Sequence, residues 1–270
     1  MNILDRIVDD ILLETARRKT AVPISRLMDA PLFRRRTSSL EKALRGEDLA
    51  VIAEVKKASP SKGVIREDFD PVTIARGYED AGAAAISILT EPQHFQGSLD
   101  HLAAVRESST LPLLRKDFIV DLYQLYEARA AGADAVLLIA AILDGEQLHD
   151  LLEATRELEM SALVEVYEVQ ELDRIDFDEV SILGVNNRDL RTFEVDIDHS
   201  LRVFEHVPPD VVRVSESGLS TSADLVHLRR HGIDAVLIGE TLMRRDDPGA
   251  ALRRLREEVR SEFERAANYE

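Results

Sequence analysis

Eight short apolar runs, at residues 50–56, 83–89, 111–116, 134–139, 161–166, 180–185, 211–216 and 234–238, punctuate this chain, and longer segments of helical periodicity lie between them. Runs of Val, Ile, Leu and Ala that do not alternate with polar residues suit strands buried on both faces. Strands that alternate with helices make parallel βα units. The helical patterns fall at 71–80, 99–107, 121–131, 145–159 and 222–231. An internal echo points to one repeating unit. Ala81-Gly82-Ala83-Ala84-Ala85-Ile86, Ala131-Gly132-Ala133-Asp134-Ala135-Val136 and His231-Gly232-Ile233-Asp234-Ala235-Val236 each place a glycine where a helix should end and a strand begin. Eight such units predict a (β/α)8 TIM barrel, an α/β fold whose functional groups gather at the C-terminal ends of the strands. The competing doubly wound sheet often carries Gly-x-Gly-x-x-Gly after its first strand when it binds a dinucleotide, and this chain has no such motif.

Ahead of the first run, Ile3, Leu4, Ile7, Val8, Ile11 and Leu12 recur at helical spacing over residues 2–21, and a second short helix is predicted at 38–45. Residues 1–48 thus form an N-terminal helical extension that either lids the barrel or covers its bottom. No linker or low-complexity stretch interrupts the remainder, so residues 1–270 are expected to fold as a single barrel domain with that extension.

The absence of cysteine removes disulfides, zinc thiolate sites and cysteine nucleophiles. His94, His101, His149, His199, His206, His227 and His231 mostly sit in helices or loops without ligand spacing, so no metal is expected. A net charge of −17 argues against nucleic acid and anionic membranes as partners. Asp5, Asp9 and Asp10 interrupt what a signal peptide would need, and the longest apolar run, 135–143, is too short to cross a bilayer. The expectation is a soluble, cytoplasmic monomer. Lysine is confined to positions 19, 42, 56, 57, 62 and 116, and four of these fall in two motifs at strand ends.

The first of those motifs, Glu54-Val-Lys-Lys-Ala-Ser-Pro-Ser-Lys-Gly63, ends its apolar run with charge and then a turn. Period-two alternation puts Glu54 and Lys56 on one face of the strand. Pro60 has no amide donor and Gly63 suits a turn, so 59–63 reads as a loop whose hydroxyls, Ser59 included, and lysines suit an anion. The other strand ends offer Lys116, Glu165, Asn186 with Arg188, Glu216 with Ser217, and Gly239 with Glu240. In a barrel these converge on one mouth, where two subsites can be proposed. Ser217-Gly218 and Gly239-Glu240 occupy the loops after the seventh and eighth strands, where such barrels bind phosphate through backbone amides; the glycines also suit plain tight turns. The lysines and glutamates make an acid/base site. A lysine beside an opposite charge stays protonated and acts as an acid, whereas desolvation alone lowers its pKa toward a base or a Schiff-base nucleophile. The sequence leaves both states open, along with simple interior ion pairing.

Taken together, Glu54 to Gly63, Ser87-Ile-Leu-Thr-Glu91 with Phe95-Gln-Gly97, Leu114-Arg-Lys-Asp-Phe118, Leu163-Val-Glu-Val166, Gly184-Val-Asn-Asn-Arg-Asp-Leu190, Ser215-Glu-Ser-Gly218 and Ile238-Gly-Glu-Thr-Leu-Met243 closely resemble the indole-3-glycerol phosphate synthase family, from the N-terminal helix to the end of the barrel. The resemblance implies a barrel with an N-terminal extension. It also implies cofactor-free closure of 1-(2-carboxyphenylamino)-1-deoxyribulose 5-phosphate to indole-3-glycerol phosphate, with loss of CO2 and water. By similarity Lys116 would be the acid that protonates the substrate ketone as the aromatic carbon attacks it. Lys56 as acid and Glu165 as base would serve the loss of the hydroxyl, and Glu54 and Glu216 would orient the lysines and the ring nitrogen. Asn186 and Arg188 match polar substrate contacts, Ser217, Gly218, Gly239 and Glu240 the phosphate loops, and Phe95, Phe118, Leu137 and Ile139 the apolar pocket for the aromatic ring.

Glu240 stands where some members have serine, so only its backbone amide carries over and its side chain is expected to turn away from phosphate. Lys57 and Gln96 are conservative variants within their motifs. A doubly anionic substrate needs local positive charge, and Lys56, Lys57, Lys62, Lys116 and Arg188 would supply it at one rim. Two other readings remain: a Schiff-base sugar-phosphate aldolase with Lys116 or Lys56 as nucleophile, and a non-catalytic phosphate-binding barrel.

Overall fold

In a computed structural model the described residues are 3–267 except 190, 191 and 193, with the backbone alone described for Ile3, Ala266 and Ala267. Asn2, where the first helix is predicted to begin, and Leu190, which closes the Gly184 motif, lie outside the described residues. Eight parallel strands close a barrel: β1 (Ala50–Val55), β2 (Ala85–Leu89), β3 (Leu113–Lys116), β4 (Ala135–Ile139), β5 (Ser161–Val166), β6 (Ile182–Asn186), β7 (Val212–Glu216) and β8 (Ala235–Ile238). Each pairs with the next in the chain, and β8 returns to β1 with Ala50 opposite Ala235 and Ile52 opposite Leu237.

Three helices precede the barrel, α1 (Ile3–Ala21), α2 (Ile24–Met28) and α3 (Leu40–Leu44). Those between strands are α4 (Pro71–Asp80), α5 (Leu99–Arg106), α6 (Leu122–Ala130), α7 (Gly145–Glu157), α8 (Asp198–Phe204) and α9 (Ser222–Arg230). α10 (Glu240–Met243) and α11 (Pro248–Ala267) follow β8. Of these, α2, α8, α10 and α11 are absent from the predicted set, as are two short 3-10 helices at 140–142 and 169–174.

Several strands start a residue or two later than their apolar runs, and three of the helix-to-strand junctions carry the same cap. Gly82, Gly132 and Gly232 adopt φ of 80°, 89° and 82° after α4, α6 and α9. The following amide then reaches back five residues, Ala83 to Tyr78, Ala133 to Ala128 and Ile233 to Leu228. This is the Schellman cap, which satisfies a carbonyl of the last helical turn and hands the chain to the strand. α7 ends in the same way with Glu159 in the glycine's place, at φ 57°, and Met160 donating to Thr155 O.

Strand pleating divides the apolar side chains into two concentric cores. Outward-facing Val51, Val55, Ile86, Ile88, Val136, Leu138 and Val164 pack against the helices. Inward-facing Ile52, Leu114, Leu137, Leu163, Ile182, Val214 and Leu237 fill the barrel.

The extension contributes to both ends of the barrel. Ser39 caps α3 by accepting from the Lys42 amide, and Leu40 and Leu44, one turn apart and fully buried, enter the inner core to close the bottom. Asp134, buried where β4 begins, fastens this segment to the barrel: it pairs with Arg35 and with Arg106 and accepts the Ser38 and Leu113 amides. α1 instead lies at the mouth, docked on α6 through Arg18 Nε to Glu127 Oε1 at 2.7 Å and the Tyr123 hydroxyl near the Arg18 and Val22 carbonyls. Its buried stripe runs Ile7, Ile11, Thr15 and on toward Arg18. Leu12, placed on that face by spacing, is 48% exposed. Among the described residues no helix is long and apolar enough to cross a membrane.

Because Leu40 is fully buried in the inner core, Leu40→Ala is expected to cost about 2–5 kcal/mol in urea unfolding. A loss below about 1 kcal/mol would show that the bottom is not sealed by α3.

Candidate active site

Above the inner apolar core the inward positions turn polar. Glu54, Lys116, Glu165, Asn186 and Glu216 each stand two residues beyond an inward Ile52, Leu114, Leu163, Gly184 or Val214, so the pleat alone aims them into one space. Lys116 Nζ lies 2.9 Å from Glu165 Oε2 and 2.6 Å from Glu216 Oε2. Lys56, just past β1, pairs with Glu54 at 2.7 Å, the same-face couple that alternation predicts. Asn186 Nδ2 donates to Glu165 Oε1 at 3.3 Å.

These contacts set the charge states. Burial pulls the Lys116 ammonium toward neutrality, but Glu165, Glu216 and Glu54 outweigh it and hold its pKa well above the ordinary lysine range. Burial pushes the Glu216 carboxyl up, Lys116 opposes it, and the neighbouring Glu165 and Glu54 add to the rise, leaving it at about 7. Glu216 Oε1 is buried and makes no hydrogen bond among the described residues.

Two glycines make room for this cluster. A Cβ on Gly184 would stand 2.2 Å from Glu216 Oε1, and one on Gly239 would stand 2.1 Å from Glu54 Oε2. Neither role is visible in the sequence, where Gly239 reads only as part of a phosphate loop.

A cavity of about 450 Å³ opens above the cluster, and every catalytic or substrate-contact residue named from the sequence lines it. At one end are Leu137, Ile139, Phe95 and Phe118, the two rings 6.0 Å apart and tilted by 41°. Leu4 and Ile7 of α1 complete this apolar wall, and nothing in their sequence pattern distinguishes them from core residues. Phe95 is held in place by Glu91, whose buried carboxylate accepts the amides of Gln93, His94 and Phe95 at 2.8, 2.6 and 2.9 Å.

At the other end are Arg188, Ser217, Gly218, Gly239 and Glu240. Ser217 and Gly218 have φ of 69° and 78°, a left-handed pair that strains the serine. Buried Asn187 steadies the turn by donating to Ser217 O and Ser215 Oγ.

Two expectations are corrected. Residues 59–63 are not simply a loop: Ala58–Ser59 pairs antiparallel with Gly63–Val64, and Pro60, which has no amide to give, sits in the turn between them. Ser59 and Lys62 line the cavity, and the buried Ser59 hydroxyl makes no hydrogen bond among the described residues. Lys57 is absent from the cavity wall; its carbonyl closes this hairpin by accepting the Ile65 and Arg66 amides. Arg244, which the sequence reading passed over, lines the cavity in addition to the expected cations.

The model of the family described as indole-3-glycerol phosphate synthase matches residues 4–255. Among curated proteins, an indole-3-glycerol phosphate synthase of Salinibacter ruber is 58% identical over 260 residues, covering 96% of each chain. That of Rhodopirellula baltica is 50% identical, covering 89% of this chain and 95% of its own. Solved structures of 3-hexulose-6-phosphate synthase from Salmonella typhimurium and of tryptophan synthase subunit alpha from Legionella pneumophila share the fold, with TM-scores of 0.63 and 0.60. They are 14% and 13% identical, cover 79% and 82% of this chain and are themselves covered to 99% and 98%.

The coupling within the cluster is open to a carboxyl 13C NMR titration. Glu216 should titrate near 7. Glu165→Gln removes a like charge and should lower that midpoint, whereas Lys116→Met removes the opposing cation and should raise it. Equal midpoints in all three proteins would show that the groups are not coupled.

Proposed function

The chain belongs to the indole-3-glycerol phosphate synthase family, and on that footing we propose how its own residues divide the family's reaction. The enzyme is a carboxy-lyase of tryptophan biosynthesis. It closes 1-(2-carboxyphenylamino)-1-deoxyribulose 5-phosphate to indole-3-glycerol phosphate, releasing CO2 and water. The observation that carries the assignment of roles is the placement of Lys116 between Glu165 and Glu216 in the wall of a cavity with one apolar and one cationic end.

The aromatic ring lies against Phe95, Phe118, Leu137 and Ile139, and the phosphate lies at the loops of Ser217-Gly218 and Gly239-Glu240 beside Arg188. The ketone is thereby brought to Lys116. As the carboxylate-bearing ring carbon attacks the ketone carbon, Lys116 gives its proton to the developing alkoxide, which becomes a hydroxyl. Loss of CO2 returns the electron pair to the ring and restores its aromaticity. Lys56 then protonates the hydroxyl, which leaves as water, and Glu165 accepts the proton whose removal forms the indole double bond. Glu216 and Glu54 keep the two ammonium groups charged and aimed, and Asn186 orients Glu165.

The same reading makes this a cytoplasmic enzyme whose single barrel domain, extension included, acts alone on a phosphorylated small molecule. Leu4 and Ile7 in the cavity wall support counting the extension as part of the working unit.

Incubation with the carboxyphenylamino-deoxyribulose phosphate, without added metal or cofactor, should give a rise in indole fluorescence. Lys116→Ala should lower kcat by roughly 10²–10⁴ while phosphate binding persists; near-normal turnover would remove Lys116 from the chemistry. Borohydride should leave the enzyme unmodified in the presence of substrate, since a trapped lysine adduct is the mark of a Schiff-base aldolase.

The pH profile gives a separate check. As pH falls through about 7, Glu216 gains a proton and loses its ion pair with Lys116, so kcat should fall on the acid side with that midpoint. Glu216→Gln should lack this limb, and an unchanged limb would assign it to another group.

A further inference from the structure

Glu240 puts a carboxylate beside loops that, in the reading above, receive a phosphate, and an unscreened charge there would repel the substrate. The side chain is turned down its own short helix instead. Glu240 Oε1 lies 2.9 Å from both Nε and Nη2 of Arg244, one turn along. Glu240 Oε2 is left 3.9 Å from Arg188 Nη2. All three residues line the cavity. Nε and Nη2 of Arg244 thus converge on one oxygen of Glu240, an ion pair along the helix that screens the carboxylate and sets its direction.

We propose that Arg244 is a positioning residue for the phosphate subsite: it holds the Glu240 carboxylate aside and screens it, so that Arg188 and the loop amides face the phosphate. The inference rests on the phosphate reading of the loops at Gly218 and Gly239 and names what that reading needs in this chain. A side chain without a carboxylate at position 240 would make no such demand.

The test compares Arg244→Ala, Glu240→Gln and the double variant, using inorganic phosphate for Kd and the full substrate for KM and kcat. In Arg244→Ala the released carboxylate opposes the anion, so Kd and KM should both rise roughly tenfold, with the loss falling on KM and not on kcat. The double variant has no carboxylate to hold aside and should recover most of that loss. Arg244→Lys, which keeps the charge but not the fork, should fall between.

An Arg244→Ala protein with unchanged Kd and KM overturns the proposal. So does a double variant as weak as Arg244→Ala, which would mean that Arg244 touches the phosphate itself. Amide resonances of Gly218 and Gly239 in the unsubstituted enzyme provide the separate control. If phosphate leaves them unmoved while turnover proceeds, the phosphate assignment of the loops fails first, and the role of Arg244 falls with it.

Discussion

Lys116 keeps its charge in a place where burial alone would remove it, and the two carboxylates within 2.9 Å are what reverse that outcome. Much else in the molecule serves this contact. The strands deliver Lys116, Glu165 and Glu216 from β3, β5 and β7 at one height, because adjacent strands are locked in register, with Leu89 opposite Lys116, Ile139 opposite Glu165 and Asn186 opposite Glu216. Gly184 leaves the space that the Glu216 carboxylate occupies. Burial, with the neighbouring carboxylates, raises Glu216, and the same carboxylates hold Lys116 protonated, so one cluster contains a firmly charged ammonium and a carboxyl that changes state near neutrality.

The frame behind β3 is ionic as well. The neighbours of Lys116 in sequence, Arg115 and Asp117, face outward and pair with each other at 2.9 Å. Arg115 also donates to Thr90 Oγ1 and Gln124 O and lies 3.6 Å from Glu127, which Arg18 of α1 meets from the other side. A line of alternating charges therefore joins the N-terminal helix to the strand that carries the acid. Buried pairs of this kind add little net stability, but removing one partner strands the rest, so they hold geometry strongly. The extension consequently has two structural duties: α3 closes the bottom of the barrel, and α1 walls its mouth while completing this charge line.

Much of this architecture is legible in the chain because its causes are local. An apolar run with no polar alternation suits a strand covered on both sides, and the glycine caps after α4, α6 and α9 announce the junctions. The equivalent cap after α7 escapes notice because Glu159 takes the left-handed position. The candidate site is readable where a charged residue ends an apolar strand, as at Glu54, Lys116, Glu165 and Glu216. It is not readable where a residue acts through space. Gly184 matters for the volume it leaves empty, Glu91 for three amides it gathers, and Leu4 and Ile7 for where a helix from the other end of the chain comes to rest. Arg244 falls in the same class, since only the folded loop shows which carboxylate it answers.

Ring closure by acid catalysis requires a charged Lys116 nitrogen. A 15N NMR titration of the Lys116 side chain in the unsubstituted enzyme, followed from pH 6 upward, reads it directly. An ammonium that persists beyond about 10.4, the ordinary lysine value, is the predicted result, because Glu165, Glu216 and Glu54 favour the charged form. A neutral amine at about pH 8 would contradict it, and would make Lys116 a nucleophile suited to Schiff-base chemistry and not the acid of ring closure.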